Sequence, residues 1–531
     1  MKKIAPASFV PSAVLFAAVF AYFAFFYPFH VSFKEQFQLF EFTSGYALET
    51  LLMPGGLADL LGRFLVQFFI LAPVGALILA AVVTGIQWLG ARFVGQWSTL
   101  PAICIWVFLA DYISVLTAAV GLLIVLGTAS TLKTDKVPGR VAVSAALYLL
   151  TGPVAVLYAF LPAPRSGKAA AGSLACTACT AALALLSQFV FKREAWRFFA
   201  GVEYLRAPHL MPVLLWLAAA VLLLIVLQYI PRFKSPVPAY ILGIAAAVAS
   251  LWFTYDGTQE TLMKYDRLAA QGKWDRILSE AGRDKKFYPR TCAAINLALS
   301  QKGQLCERMF EFPQSDASGL LPDQGKDCFQ PLLVGEIYFH MGLESQARRC
   351  YFEAQESIPN MQKSARCTKR LAQICLLMGH DDAAQHYIEK LNHTLFHSGK
   401  KLLKWKESEE FALLQSRMPR NFDGYYNFVN PERHWLAIAY ETGNPVISEY
   451  LMARAMLTRN AKGIGSYLAT LKPEKLPRHL EEAVLAIQNN YPELVDGISV
   501  SSRTIDNYMK FLQSGKAPAG SYWKYLYATV K

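Results

Sequence analysis

One stretch of the chain is wholly apolar over fifteen residues and decides the fold: Val213-Leu214-Leu215-Trp216-Leu217-Ala218-Ala219-Ala220-Val221-Leu222-Leu223-Leu224-Ile225-Val226-Leu227. A helix needs about 20 mostly apolar residues to cross the hydrocarbon core of a bilayer. Extended to 209–230, the stretch has that length, and similar runs precede Asp256. The sequence therefore predicts an all-α protein that begins with a polytopic transmembrane helical bundle.

Charge is distributed unevenly along the 531 residues. Residues 1–256 contain 16 of the 52 Lys and Arg and 9 of the 39 Asp and Glu, so polarity rises sharply after Asp256. The net charge of +13 is shared about equally by the two halves and forms no single basic tract. Nucleic-acid binding is therefore not expected. Many basic residues of the first half flank apolar runs, as membrane orientation signals do.

Eight spanning helices are expected in residues 1–256, with an external loop at 29–62 after the first. Their predicted ranges are 8–28, 64–88, 97–111, 112–131, 140–162, 169–191, 209–230 and 237–254. The stretch 97–131 is either a hairpin that turns near Asp111 or one tilted helix. Lys and Arg prefer cytoplasmic loops. The hairpin puts ten of them inside and six outside, whereas a single helix puts seven inside and nine outside, so the hairpin with cytoplasmic termini is favoured.

Asp111 has a different meaning in the two topologies. In the hairpin it lies in a turn at the outer surface, whereas in a single helix it is an ionisable group inside the membrane, which usually marks function. The six cysteines of residues 257–531 have neither zinc nor disulfide spacing. They agree with a reducing compartment, and hence with a cytoplasmic second half.

The loop after the first helix has a helical pattern from Phe29 to Phe42. Phe33, Phe37 and Phe40 recur at helical spacing. The polar residues Glu35, Gln38 and Glu41 recur every three residues and so share a different face of the helix. His30, near the start of the segment, is also polar. The pattern predicts an amphipathic helix that lies on the bilayer with its apolar side in lipid.

Further along, Pro54-Gly55-Gly56 break the chain before Asp59. This arrangement resembles the first external loop of GT-C membrane glycosyltransferases, which take a sugar from a polyprenyl-phosphate carrier. The resemblance implies a carboxylate that binds a metal or acts as base on a hydroxyl acceptor: Glu35 by position, with Asp59 and Glu41 as further candidates. The acidic pair of that class is absent, because Gln36 follows Glu35. The alternative is an interfacial helix whose polar face is merely solvated.

A second aromatic and basic stretch contains Lys192, Arg193, Trp196 and Arg197. The charge count places it on the cytoplasmic side. Basic and aromatic residues at that depth either bind anionic lipid head groups or simply anchor the helices.

Residues 257–531 contain a recurring pattern of a helix, a glycine turn and a second helix. The turns are centred on Gly272, Gly303, Gly342, Gly379 and, more loosely, Gly443. The first four are 31, 39 and 37 residues apart, close to the 34-residue period of tetratricopeptide (TPR) repeats. We expect a TPR-like α-solenoid, interrupted by a loop at 312–331, whose concave surface binds a protein or peptide partner.

His386, His393 and His397 fall near one helix face, but no carboxylate or thiol at ligand spacing completes a metal site. No metal and no cofactor are therefore expected from the sequence.

Several strings are similar to those of an uncharacterised family of integral membrane proteins from Bacteroidetes, a domain of unknown function. They include Phe26-Tyr27-Pro28-Phe29-His30, Pro54-Gly55-Gly56-Leu57-Ala58-Asp59 and Ser364-Ala365-Arg366-Cys367. The resemblance implies the bacterial inner membrane but no activity. Two functions stay open: a membrane-anchored scaffold whose solenoid binds a partner, and a GT-C-like glycosyltransferase that uses a polyprenyl-phosphate sugar donor. Whether the protein is an enzyme is undecided.

Overall fold

The computed structural model describes residues 9–132, 134, 136–201, 210–231, 233, 235–284, 286–419 and 431–528. Helices and their connections make up this part of the chain, and no β-strand occurs in it. The expected all-α class is therefore confirmed.

The α-helices up to residue 256 are Phe9–Ala21, Pro28–Lys34, Ser44–Leu51, Gly56–Val66, Ala72–Val94, Thr99–Ala110, Thr117–Thr131, Val137–Thr151, Gly167–Phe191, Ala195–Ala200, Leu210–Val226 and Val237–Thr254. Those that follow are Gly257–Ala270, Trp274–Ala281, Pro289–Gln301, Leu305–Arg308, Gln330–Met341, Glu344–Glu356, Ala365–Leu377, Asp381–Asn392, Gly399–Trp405, Glu409–Arg417, Pro431–Thr442, Pro445–Leu457, Ala461–Leu471, Arg478–Gln488, Ser502–Ser514 and Tyr522–Leu526.

Several helices are compatible with a membrane protein. By length and composition, four stretches could cross a bilayer: Ala72–Ala110, Val137–Phe160, Gly167–Phe191 and Val237–Thr254. A bent pair, Val10–Phe26 with Pro28–Phe37, raises the number to five. Thr117–Thr131 and Val213–Val226 are shorter apolar helices. The expected total of eight spanning helices stays a prediction.

The chain folds back inside the first of these long stretches. Gln87 Nε2 donates to Ser98 Oγ at 3.3 Å, although 11 residues of straight helix would separate them by roughly 16 Å. Gly95 lies between them with φ +61°. Ala72–Val94 and Thr99–Ala110 are therefore separate helices. The predicted helix 64–88 begins later than expected, because the 3₁₀ turn Gln67–Ile70 precedes it.

A second fold-back occurs at Gly152, which has φ +71°. Arg140 donates to the carbonyl of Ala159 at 2.9 Å, whereas a straight helix would hold them roughly 28 Å apart. Val137–Thr151 and the 3₁₀ helix Gly152–Phe160 thus form a helical hairpin with its tip at Gly152. The helix predicted at 140–162 is thus interrupted at Gly152, because a glycine break inside an apolar run leaves no mark in the hydrophobic pattern. That this stretch spans the membrane stays a prediction.

The helix predicted to lie on the bilayer after the first span is also wrong. Pro28–Lys34 and the 3₁₀ turn Glu35–Phe37 bend by 89° from the preceding helix. Phe33 and Phe37, which were expected to face lipid, are buried within the protein. Glu35, which was expected to face solvent, is buried as well. His30, Lys34 and Glu35 find partners inside the protein, which removes their need for a solvated face.

The stretch 97–131 contains two helices with a break between Ala110 and Thr117. The Asp111 carboxylate accepts a hydrogen bond from the backbone N–H of Ile113 at 2.8 Å. The break lies where the hairpin model expected it, and Asp111 stabilises the turn instead of standing unpaired in an apolar interior.

The chain divides into two compact units. The first unit comprises Met1–Glu260, Gln355–Lys369 and Tyr387–Gly399, and the second comprises Thr261–Ala354, Arg370–His386 and Lys400–Lys531. Two segments from the C-terminal half of the sequence, 355–369 and 387–399, therefore belong with the membrane helices.

The second unit contains the predicted glycine turns. At Gly342, φ is +77°, and the N–H of Leu343 donates to the carbonyl of Tyr338 at 2.9 Å, which closes the helix end. Positive φ also occurs at Gly272, Gly303, Gly379 and Gly443. Between Glu311 and Gln330 the insert contains only the 3₁₀ turn Ala317–Gly319. The stacking of these units into a solenoid stays a prediction.

Candidate functional site

A cavity of about 850 Å³ lies within the first unit. Its wall combines the loop that follows Leu39, the hairpin tip at Gly152, the helices Ala195–Ala200 and Leu210–Val226, and the segment 355–369. Residues far apart in sequence thus face one space of the size of a small-molecule site.

Asp59 and Arg63 form the polar centre of the wall. They are one turn apart on Gly56–Val66 and make an ion pair. Thr117 donates to the other carboxylate oxygen of Asp59 at 2.9 Å. The Arg63 guanidinium also lies over the Tyr46 ring, 5.9 Å from its centre. The carboxylate is therefore held in a defined orientation at the cavity.

The Pro54-Gly55-Gly56 motif explains how this helix reaches the cavity. Gly55 has φ +83°, and its N–H donates to the carbonyl of Leu149 at 2.9 Å. A Cβ on Gly55 would lie 3.2 Å from the backbone nitrogen of Gly152. Only glycine permits this conformation and this close approach to the hairpin tip. The turn brings the start of Gly56–Val66, and with it Asp59, against the hairpin.

Three further cations line the cavity: Arg193, Arg197 and Lys363. Arg197 also approaches Glu194, at 3.9 Å. Burial, followed by the effect of the nearby Lys363, lowers the pKa of Lys390 to about 8. The cavity wall thus contains cations from two distant parts of the sequence.

Part of the cavity wall is apolar. Leu214, Leu217, Val221 and Leu222 lie on one face of Leu210–Val226 and line the cavity. The wall also contains the carboxylates of Glu41 and Glu49, besides that of Asp59. The site is therefore amphipathic, because its wall contains both apolar and charged surface.

Of the residues predicted from the sequence, Asp59, Glu41, Arg193 and Arg197 line this cavity. Glu35 does not: it is buried, and its Oε1 lies 3.1 Å from His397 Nε2. The geometry therefore favours Asp59 over Glu35 as the reactive carboxylate.

His30 and Gln38 do not line the cavity. His30 Nδ1 is 2.5 Å from Glu260, whose carboxylate also accepts the backbone N–H groups of Phe29 and His30. Gln38 is buried and faces a small neighbouring cavity of about 30 Å³, shared with Asp59. Both residues are therefore buried in the interior that holds the loop in place.

Lys192 and Trp196 are exposed and lie outside the cavity. The charge count put their stretch and the loop 29–62 on opposite faces, yet Arg193 and Asp59 line the same space. Similarly, the N–H of Phe42 donates to the carbonyl of His393 at 2.7 Å. The sequence predicted that the loop 29–62 is external and that the segment 387–399 is cytoplasmic. The two predictions are incompatible, because the loop and the segment are in contact.

Sequence reasoning missed Thr117, Gly152, Asn360, Gln362 and Lys363, all of which line the cavity. Asn360 has φ +57°, the left-handed region that few residues other than glycine adopt. No sequence pattern connects these positions to Asp59, because only folding brings them together.

In the ranges that the structure describes, no three His, Cys, Asp or Glu side chains are grouped so that they could hold a metal ion. Of the three histidines singled out in the sequence, His397 pairs instead with Glu35.

Comparison with known proteins finds one family. Residues 2–528 match the family described as "Family of unknown function (DUF6057)". No curated protein and no solved structure matches the chain.

Proposed function

Since the chain belongs to this family of unknown function, we propose from its site that it is a multi-pass membrane protein that binds an amphipathic lipid phosphate and acts on it through Asp59. One observation carries the proposal: a single cavity joins the Asp59–Arg63 pair, three further cations and an apolar wall.

Each part of such a ligand has a matching part of the wall. Guanidinium groups form strong charge-assisted hydrogen bonds to phosphate, and Arg193 and Arg197 line the cavity. The leucine face of Leu210–Val226 suits a prenyl or acyl chain. A soluble anion would gain nothing from that face, so a lipid is the better match.

The reaction that fits best is the GT-C-like transfer expected from the sequence. The hydroxyl of an acceptor attacks the anomeric carbon of a sugar on a polyprenyl phosphate. The O–H proton passes to the Asp59 carboxylate as the new C–O bond forms. The bond between the sugar carbon and the phosphate oxygen breaks, and its electron pair leaves with the phosphate. Arg193 and Arg197 stabilise the charge of that phosphate.

The glycine-turn repeats predict a scaffold that binds a protein partner, and this stays a prediction. The amphipathic cavity supports the binding of a ligand instead. We propose that the protein lies in the bacterial inner membrane, with the loop 29–62 and the segment 387–399 on one side of it. The contacts at Glu35–His397 and Phe42–His393 support a shared side for these two segments.

The test uses full-length protein in nanodiscs, with farnesyl phosphate as the probe. The double variant Arg193→Gln/Arg197→Gln should bind it roughly 100-fold more weakly, because charged hydrogen bonds contribute about 1.5–3 kcal/mol each. Asp59→Asn should bind it within about threefold of the wild type, but lose sugar transfer from a glycosylated prenyl phosphate by about 10²–10⁴-fold.

Lys192→Gln is the matched control, because Lys192 belongs to the same stretch but lies outside the cavity. It should change neither measurement. Wild-type affinity in the double arginine variant, or an equal loss in Lys192→Gln, would refute lipid-phosphate binding at this site. Full transfer by Asp59→Asn would remove Asp59 from the chemistry.

A further inference from the structure

The loop 359–363 enters the site from the C-terminal half of the sequence. It follows the helix Glu344–Glu356 and belongs to the first unit. Asn360, Gln362 and Lys363 line the main cavity. Asn360 and Gln362 also line the 30 Å³ cavity beside Asp59. The loop therefore lies where the reactive carboxylate and the ligand space meet.

The loop is held in an unusual conformation. Asn360 has φ +57° and ψ 26°, and Asn is among the few residues that tolerate this region. Gln362 closes the turn, because its Nε2 donates to the carbonyl of Asn360 at 3.0 Å. Left-handed residues other than glycine cluster at ligand sites. Glycine would adopt this backbone conformation without strain. Asn360 adopts it as well and in addition carries a side-chain amide.

Besides its cations, the cavity wall contains side-chain amides and carboxylates. The Asn360 and Gln362 amides have both donors and acceptors, and the carboxylates of Glu41 and Glu49 accept. Such a set suits neutral hydroxyl groups, which donate and accept at once. Phosphate suits the cations instead, one of which, Lys363, belongs to the loop itself. The wall thus contains groups that suit an anion and groups that suit a polyol.

We propose that the loop 359–363 is the head-group selector of the site: Asn360 and Gln362 bind the hydroxyls of a sugar carried on a lipid phosphate, while the arginines bind the phosphate. This inference rests on the proposed lipid-phosphate binding and adds which residues distinguish a glycosylated lipid from a bare one. It also makes the C-terminal half of the sequence part of the substrate site.

The experiment compares two probes, farnesyl phosphate and its β-glucosyl ester, by affinity for full-length protein in nanodiscs. The wild type should prefer the glucosylated lipid about tenfold, as two neutral hydrogen bonds allow. The variant Asn360→Gly/Gln362→Ala should reduce that preference to about onefold and keep its affinity for farnesyl phosphate within twofold. Glycine at 360 retains the left-handed backbone without strain.

A second variant, Asn360→Asp, covers the case in which the double variant fails to fold. It retains the size of the side chain and its tolerance of the left-handed region, but it loses the NH₂ donor. It should lower the preference for the glucosylated lipid over farnesyl phosphate at least threefold, a ratio that compares two probes carrying the same phosphate and so corrects for repulsion by the added negative charge. Lys192→Gln should keep the full preference.

The outcomes separate the two proposals. If the arginine double variant loses farnesyl phosphate while the loop variants keep the wild-type preference, the selector role is overturned and lipid binding stands. A wild type without any preference, or a loop variant that loses both probes equally, also overturns the selector role. If the arginine variant binds farnesyl phosphate normally, the underlying lipid-phosphate proposal fails.

Discussion

Glu449, in the helix Pro445–Leu457, shows how one buried carboxyl makes stability depend on pH. Its Oε2 is buried without a hydrogen-bond partner among the described residues. Burial raises its pKa to about 8, against the opposing effects of the Leu305 backbone and Arg417. The folded protein therefore keeps a proton that the unfolded chain has lost above about pH 4.5. The contribution of Glu449 to the free energy of unfolding is therefore greatest below that pH and falls as pH rises towards 8.

Glu449→Gln should remove this dependence, because the amide is neutral at every pH. We expect the difference in thermal unfolding midpoint between variant and wild type to grow in favour of the variant from pH 5 to pH 8. The underlying slope is about 1.4 kcal/mol per pH unit at most. Glu441→Gln, an exposed neighbour, should follow the wild type. A variant with the wild-type slope would show that Glu449 ionises normally.

Individual site residues could be predicted only in part. The sequence marked Glu35, Glu41 and Asp59 as acidic groups in one loop, but nothing in it distinguished the carboxylate that faces the cavity from one that pairs with a histidine 362 residues away. That difference depends on tertiary contacts. Asn360 had no signal, because an asparagine after a proline predicts only a turn.

At the scale of elements, the junction of two glycine turns holds the site together. Gly55 contacts Gly152 at the hairpin tip, and Gly62 approaches Thr117, where a Cβ would lie 3.0 Å from the backbone nitrogen. The sequence predicted a break at Pro54-Gly55-Gly56 but not at Gly152. Inside an apolar run, neither hydropathy nor periodicity separates a straight helix from a hairpin, because both have the same composition.

Gly55→Ala should disrupt this junction. Alanine is strained at φ +83°, and its Cβ would lie 3.2 Å from Gly152 N. We expect a loss of about 1–3 kcal/mol in stability and weaker binding of farnesyl phosphate, since Asp59 would shift. Gly45→Ala is the matched control, because nothing lies within 4 Å of its Cβ position. It should be neutral or slightly stabilising. Equal effects of the two variants in thermal unfolding would contradict the role of the junction.

At the scale of the molecule, counting basic residues assigned opposite sides of the membrane to residues that line the same cavity. Arg92 was counted inside and Arg165 outside, yet both line one cavity of about 600 Å³. The positive-inside rule assumes straight spans that alternate between the two faces. A hairpin that returns to the side it came from changes the side of every later loop. The apolar runs predicted that helices exist, whereas the order of the sides depends on the breaks at Gly95 and Gly152.

The contact of Glu35 with His397 predicts that the loop 29–62 and the segment 387–399 lie on the same side of the membrane. The exposed Ser44 lies in the first segment, and the exposed Lys400 directly follows the second in the chain. In intact cells, Ser44→Cys and Lys400→Cys should react with a membrane-impermeant maleimide either both before permeabilisation or both only after it. The parent chain is the control, because its cysteines are buried apart from the partly buried Cys179.

Labelling of one variant before and the other only after permeabilisation would place the segments on opposite sides. The Glu35–His397 contact would then be absent from the protein in the membrane, since no side-chain pair at 3.1 Å can span a bilayer about 30 Å thick.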